Sequence, residues 1–308
     1  MDRRWSRTRA LGALIVGALL VAASVGAQST DLKLRAERWL ASGADLTRAL
    51  RTEPTECLAL PIEPKARLSV EVGRAAFRAP LVLGGQAARS GLSCEACHRS
   101  GRSNLDFMFP GVSGAPGTAD VTSSLFSSHR GDGKVNPKPI PDLSGPKASL
   151  RIAQTTPSLE TFIHGLITEE FDGPEPPARV LEGLANYVRA LSPGRCPEAT
   201  VQVVTAERRM DDALRALTAG MAMAAEGDHA SAISMLSAAR GSLFLADERL
   251  AGPHQVSERT RLRRTDAEIA RIAEAFRRNS PQARPDLVAL VSDLSRQVSD
   301  GRLPRKPS

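Results

Sequence analysis

Cys94, Cys97 and His98 stand close together in the stretch Ser93-Cys94-Glu95-Ala96-Cys97-His98. Three chemistries use cysteines at this spacing: a redox dithiol, half of a zinc site, and an anchor for haem. A thioredoxin-type dithiol sits at a helix N-terminus in a βαβ setting. The strand alternation for that is missing around residues 84–110. A structural zinc site needs four ligands, usually from two knuckles. The chain has four cysteines, but no second Cys-x-x-Cys and no closely spaced His pair. Cys-x-x-Cys-His is the pattern of c-type haem attachment. Two thiols three positions apart reach the two vinyl groups on one porphyrin edge, and the next residue offers an imidazole to the iron. The spacing points to one covalent haem c, held by Cys94 and Cys97, with His98 as proximal ligand.

The start of the chain agrees with that chemistry. Arg3, Arg4, Arg7 and Arg9 precede an apolar run, and Val25-Gly26-Ala27 fits a small-x-small cleavage site. Residues 1–27 therefore read as a signal peptide for the general secretory route, with the mature protein starting at Gln28. An uncleaved anchor is the competing reading, although the run is short for spanning and carries Gly and Ser. Export implies a periplasmic location, where c-type haem is attached and thiols are oxidised. No other segment is apolar enough to span a membrane.

The net charge of +7 comes in part from this segment. Removing residues 1–27 takes away four Arg and one Asp, leaving +4. No dense Lys/Arg block with interleaved aromatics is present, which argues against nucleic acid as a partner. Arg261-Leu262-Arg263-Arg264 reads as a solvated helix face.

The elements that must position the motif are helices and loops, so the fold class is all-α. Residues 31–50 read as an amphipathic helix with Leu34, Trp39, Leu40 and Leu50 on its apolar side. A short helix covers 70–79, before Pro80. Residues 100–157 are mostly loop, dense in Gly, Pro, Ser and Asp, and a loop this long usually serves a site. Residues 158–168 repeat apolar side chains at helical spacing (Leu159, Phe162, Ile163, Leu166, Ile167), as do residues 177–191. Near residue 197 the composition shifts to Ala, Leu, Arg and Asp, which marks a boundary between a haem domain (28–197) and a C-terminal domain (198–308). Four helices are expected there, at about 200–225, 228–250, 257–279 and 284–300, as a bundle or a tetratricopeptide-like hairpin. Met210, Met221, Met223 and Met235 fall at core spacings, and His229 and His254 read as solvated.

Several spaced motifs add a resemblance. Gly73-Arg74-x-x-Phe77, the turn at Pro80–Leu83 and "GLSCEACH" are similar to the haem domains of the di-haem cytochrome c peroxidase and MauG-like family. "IPDLSG", Ser158-Leu159-x-x-Phe162 and Glu170-Phe171-x-Gly-Pro-Glu-Pro resemble the end of that family's second haem domain. The likeness covers about residues 70–192. It implies a cytochrome c-like domain in which 70–79 and 177–191 act as the first and last helices, crossing near the haem. This chain carries one Cys-x-x-Cys-His, where the family's peroxidases carry two.

The sixth iron ligand is open at this level. The resemblance puts the distal group in the loop before the Ser158-Leu159 helix, where His129 is the best donor; Met108 is the alternative, although its Phe neighbours give it the look of core. His164 lies off its helix's apolar stripe. Without a protein ligand the sixth position would admit water or a small molecule. Arg99 and Arg102 are either partners of haem propionates or plain surface arginines. Cys57 and Cys196 remain after the motif thiols are used, and they bracket the family-like region. Because its first and last helices are expected to cross, a Cys57–Cys196 disulfide is expected, with two free thiols as the competing reading.

These observations support a mono-haem electron carrier with a redox partner protein. A peroxidase-like enzyme with an open distal site, and a haem sensor or scaffold whose C-terminal helices bind a partner, are the alternatives.

Overall fold

The computed structural model describes residues 36–196, 200–250 and 252–303, apart from the side chain of Ala148. The proposed signal peptide and cleavage site lie outside the described residues. Within these limits the chain is mostly helical: α1 Leu46–Arg51, α2 Pro64–Phe77, α3 Gly85–Arg89, α4 Cys94–Cys97, α5 Ser158–Gly165, α6 Ala178–Ala190, α7 Ala206–Ala225, α8 His229–Arg249, α9 Val256–Arg277 and α10 Ala283–Ser299. Three antiparallel two-stranded pairs join distant segments: β1 (Thr52–Pro54) with β6 (Val201–Val203), β2 (His98–Arg99) with β3 (Arg102–Ser103), and β4 (Thr118–Ala119) with β5 (Lys138–Pro139). No helix among the described residues is long and apolar enough to cross a membrane.

The long helix expected over 31–50 is not present in residues 36–45. Trp39 instead donates its indole N–H to Ser90 O at 2.8 Å and packs its ring 4.3 Å from that of Phe109. Leu40 bridges Phe107. Only after Gly43 does a helix begin, with the Asp45 carboxylate accepting from the Arg48 N–H at 3.0 Å. Asp45 is a strong helix N-cap, so the sequence marks a helix start where the apolar spacing alone suggested a helix middle.

α2 begins at Pro64, earlier than residue 70. The Glu63 carboxylate caps it by accepting from the Lys65 and Ala66 N–H groups at 3.0 and 2.6 Å. α2 and α6 cross with their backbones touching, and Gly73 and Gly183 make that possible. A Cβ on Gly73 would come within 1.8 Å of the Gly183 carbonyl oxygen. Val70, Val72, Phe77, Val180, Leu184 and Tyr187 fill the surroundings of this crossing and are all buried. α5 ends in a π-helical turn over Leu166–Glu170, which turns Ile167 inward but leaves Phe162 39% exposed. Phe162 therefore departs from the expected apolar stripe.

α7 to α10 pack in a ring, each on the next, with α10 returning to α7. The Thr205 hydroxyl caps α7, and the Asp228 carboxylate caps α8 after the left-handed Gly227 (φ 80°). Met210, Met223 and Met235 are fully buried, and Met221 packs against the same core. His254 is exposed as expected, whereas His229 is half-buried with its ring 5.2 Å from Phe276. α2 also packs on α7 and α8, and all described residues belong to one compact unit. The compositional boundary at 197/198 thus falls inside that unit. Glu53, 5% exposed, joins the two sides by accepting from Arg209 at 2.5 Å.

Candidate functional site

His98 is positioned by a very short hairpin. β2 and β3 are joined by Ser100-Gly101, both with positive φ (52° and 74°). Two left-handed residues in a two-residue loop match the right-handed twist of the strands they connect. Gly101 is also required by packing, because a Cβ there would meet the Leu191 side chain at 2.4 Å. The Gly101 carbonyl accepts from the Leu143 and Ser144 N–H groups at 3.0 and 3.2 Å. Arg102 donates to Asp142 at 2.7 Å, and the Ser103 hydroxyl donates to Ile140 O at 2.8 Å. Together these bonds press the Ile140–Ser144 turn against the hairpin.

That turn places the Pro141 carbonyl oxygen 3.0 Å from His98 Nδ1. A carbonyl can only accept, so Nδ1 carries the proton and Nε2 keeps its lone pair. The Phe77 ring lies 6.4 Å from the imidazole and 5.0 Å from the Tyr187 ring, so the α2–α6 crossing sits beside His98. Burial holds the imidazole down at about 4, against the Pro141 hydrogen bond and the Asp142 charge that favour protonation. His98 is therefore neutral, the form that ligates a metal.

Cys94 and Cys97 occupy the single turn α4, three positions apart on one side. Neither is disulfide-bonded. Burial pushes both thiols up to about 12. A redox dithiol needs a thiol held well below its ordinary value, so these groups do not suit that role. Among the described residues no group of three or more His, Cys, Asp or Glu side chains is arranged to hold a metal ion, and a structural zinc site needs four such donors. A porphyrin brings four nitrogens of its own. Two uncrosslinked thiols followed by a neutral imidazole with a free Nε2 fit that group.

Below this turn lies a buried charge cluster. Glu56 accepts from Arg78 at 2.8 Å, from the Tyr187 hydroxyl at 2.7 Å and from Arg74. Arg78 and Arg74 overcome the burial penalty and hold the Glu56 carboxyl far below the usual range. Next to Glu56, Cys57 and Cys196 meet as a disulfide pair with Cα atoms 5.2 Å apart. The Ser192 N–H donates to Cys57 O at 2.8 Å, holding the ends of the α2 and α6 segments together.

The other sequence candidates have found partners. His129 is 63% exposed; its Nδ1 lies 3.0 Å from Asp172 and its backbone N–H donates to Ser127. Met108 is half-buried between the buried Phe107 and Phe109, and its backbone N–H donates to Trp39 O at 3.1 Å. The fully buried surroundings expected for Met108 are thus taken by its neighbours. His164 pairs with Glu175 at 2.8 Å, tying α5 to the Gly173-Pro174-Glu175 loop. Gly173 of that loop lies against Leu83 O, and Gly84 lies against Pro174. Arg99 is not a surface residue: it is 7% exposed and donates to Ala49 O at 2.7 Å and to Thr52 O. Arg102 pairs with Asp142 as described above.

Sequence reasoning missed the Pro141 carbonyl and the Glu56 cluster. The "IPDLSG" motif signalled the first. Nothing local signals the second, because its members are brought together by the α2–α6 crossing. No family model matches the chain, and neither a curated protein nor a solved structure matches it.

Proposed function

We propose that this chain is an exported c-type cytochrome with one haem, attached through Cys94 and Cys97 and ligated by His98, that passes single electrons to or from a redox partner in the periplasm. The observation that carries this reading is the His98–Pro141 hydrogen bond on the turn that presents both thiols. It fixes the ring orientation and tautomer that an iron ligand needs. A bound haem would supply the one-electron Fe(III)/Fe(II) couple.

This chain's own residues set the conditions. The Pro141 carbonyl makes the imidazole a stronger donor, and Phe77, Tyr187 and the α2–α6 crossing exclude water beside it. The α2–α6 crossing and the resemblance over residues 70–192 support a cytochrome c-like arrangement. The export-signal pattern read in residues 1–27 and the Cys57–Cys196 pair support an oxidising compartment.

His129 remains the leading sixth ligand and Met108 the alternative. In favour of His129, Asp172 occupies its Nδ1 and leaves Nε2 free, as Pro141 does for His98. Its exposure favours a second reading, a peroxidase-like enzyme with an open sixth position. Visible spectra of the purified protein separate the two. An electron carrier gives low-spin ferric iron that is reversibly reduced and does not respond to peroxide. High-spin iron that reacts with peroxide overturns the carrier reading, and an unchanged spectrum in His129→Ala moves the ligand to Met108 or to none.

A further inference from the structure

The motif turn has a second face. Ser93, Glu95, Ala96 and Arg99, which alternate with the thiols and the imidazole, line a cavity of about 200 Å³. The 36–40 segment and the C-terminal end of α8 close its other sides. Five arginines and three glutamates face it. Glu37 and Glu248 already have partners. Glu95 accepts from the Ser100 N–H at 2.9 Å and lies 3.9 Å from Arg78.

The arginines divide into two sets. Arg78 is committed to Glu56, and Arg209 to Glu53 and Asp212. Arg38 and Arg249 make no hydrogen bond or ion pair with a described residue, and the buried Nε of Arg249 has no partner. Arg99 bonds backbone oxygens through one terminal nitrogen, while its buried Nε also has no partner. Ser93, 3% exposed, adds a hydroxyl oxygen without a hydrogen-bond partner. Unmatched buried donors are costly, and half-buried cations without a counter-charge add to that cost. Burial, with Arg99 and Arg209 nearby, pushes Arg38 down to about 10, although Glu95 and Glu53 counter in part. Water would satisfy the donors but leave Arg38 and Arg249 without an ion-pair partner among the described residues.

We propose that this cavity binds a small doubly charged oxyanion between Arg38, Arg99 and Arg249, with the Ser93 hydroxyl donating a further bond. Charge-assisted bonds from guanidinium groups suit a phosphate or a carboxylate pair. The site does not require a haem. It joins the back of α4 to α8, so an occupant links the motif turn to the C-terminal helices.

The test is calorimetric titration of the purified full-length protein, in phosphate-free buffer at fixed ionic strength, with inorganic phosphate and, in a separate arm, succinate. One saturable site is expected, for phosphate if the preferred group is tetrahedral and for succinate if it is a dicarboxylate. Affinity should fall at least tenfold in Arg249→Gln and measurably in Ser93→Ala, and should not change in the exposed Arg195→Gln. Arg249 is only half-buried, so that variant is expected to fold, which its melting curve checks. No saturable heat with either anion, or equal affinity in a folded Arg249→Gln, overturns the proposal.

Discussion

Around Cys94–His98 the chain runs through long stretches of loop, and much of what fixes it is polar or covalent: the Cys57–Cys196 pair, Glu56 with Arg74 and Arg78, Arg102 with Asp142, and the arginine-to-carbonyl bonds of Arg99. In α7–α10 the work is done by Ala, Leu, Met and Ile side chains buried at helical spacing, with Met223, Met235, Leu217, Leu236 and Ile269 at or near zero exposure. The difference follows from composition. A helical hairpin can bury its own apolar stripe. A loop-rich segment has few such stripes, so it needs cross-links and fully satisfied polar groups to hold one conformation. It also fits a segment built to enclose a large apolar cofactor, which would complete its core.

Replacing Cys57 and Cys196 by Ser should therefore weaken the motif half most. With the partners 139 positions apart in the sequence, the chain-entropy model gives roughly 4–5 kcal/mol. The expected signature is loss of protection near α2 and α6 in hydrogen exchange before any loss in α7–α10. Uniform loss across both regions would break the comparison. Two alkylatable thiols in the denatured, unreduced mature protein would show that the pair does not form.

Glu56→Gln should cost about 3–5 kcal/mol, because it leaves Arg74 and Arg78 buried beside a neutral amide. The sign with pH is fixed by the direction of the shift. A carboxyl held below its unfolded value gives stability that is present above the ordinary carboxylate range and lost as pH falls through and below it. The gap between Glu56→Gln and the parent should narrow below about pH 4. A gap that does not change with pH would mean that the ion pairs contribute nothing.

Met223→Ala gives the contrasting case. It should cost about 2–5 kcal/mol through a lost apolar contact and a residual cavity, with no dependence on reductant and little on pH. A strong pH dependence of its effect on unfolding would show that the C-terminal helices rely on charge after all.

The same contrast explains what could be read from the sequence. The C-terminal helices, α6 and the Cys-x-x-Cys-His motif follow from periodicity and spacing, which are local. The Cys57–Cys196 pairing was legible because few cysteines were left to choose from. The 31–50 helix was misjudged because apolar spacing was weighed above Gly43 and the capping Asp45, and Trp39 then found partners at Ser90 and Phe109. The burial of Arg99, the cluster at Glu56 and the cavity behind Ser93 were not legible. Each depends on side chains from segments dozens of residues apart, and a charged residue in a sequence reads as surface until its partners are known.

The central claim is that Cys94, Cys97 and His98 hold one covalent haem. Acid–acetone extraction of the purified mature protein, with iron counted per chain, tests it most directly. The account predicts that the haem stays on the protein at one iron per chain, and that Cys94→Ala with Cys97→Ala loses it. Haem that extracts freely, or zinc in place of iron, would contradict the account.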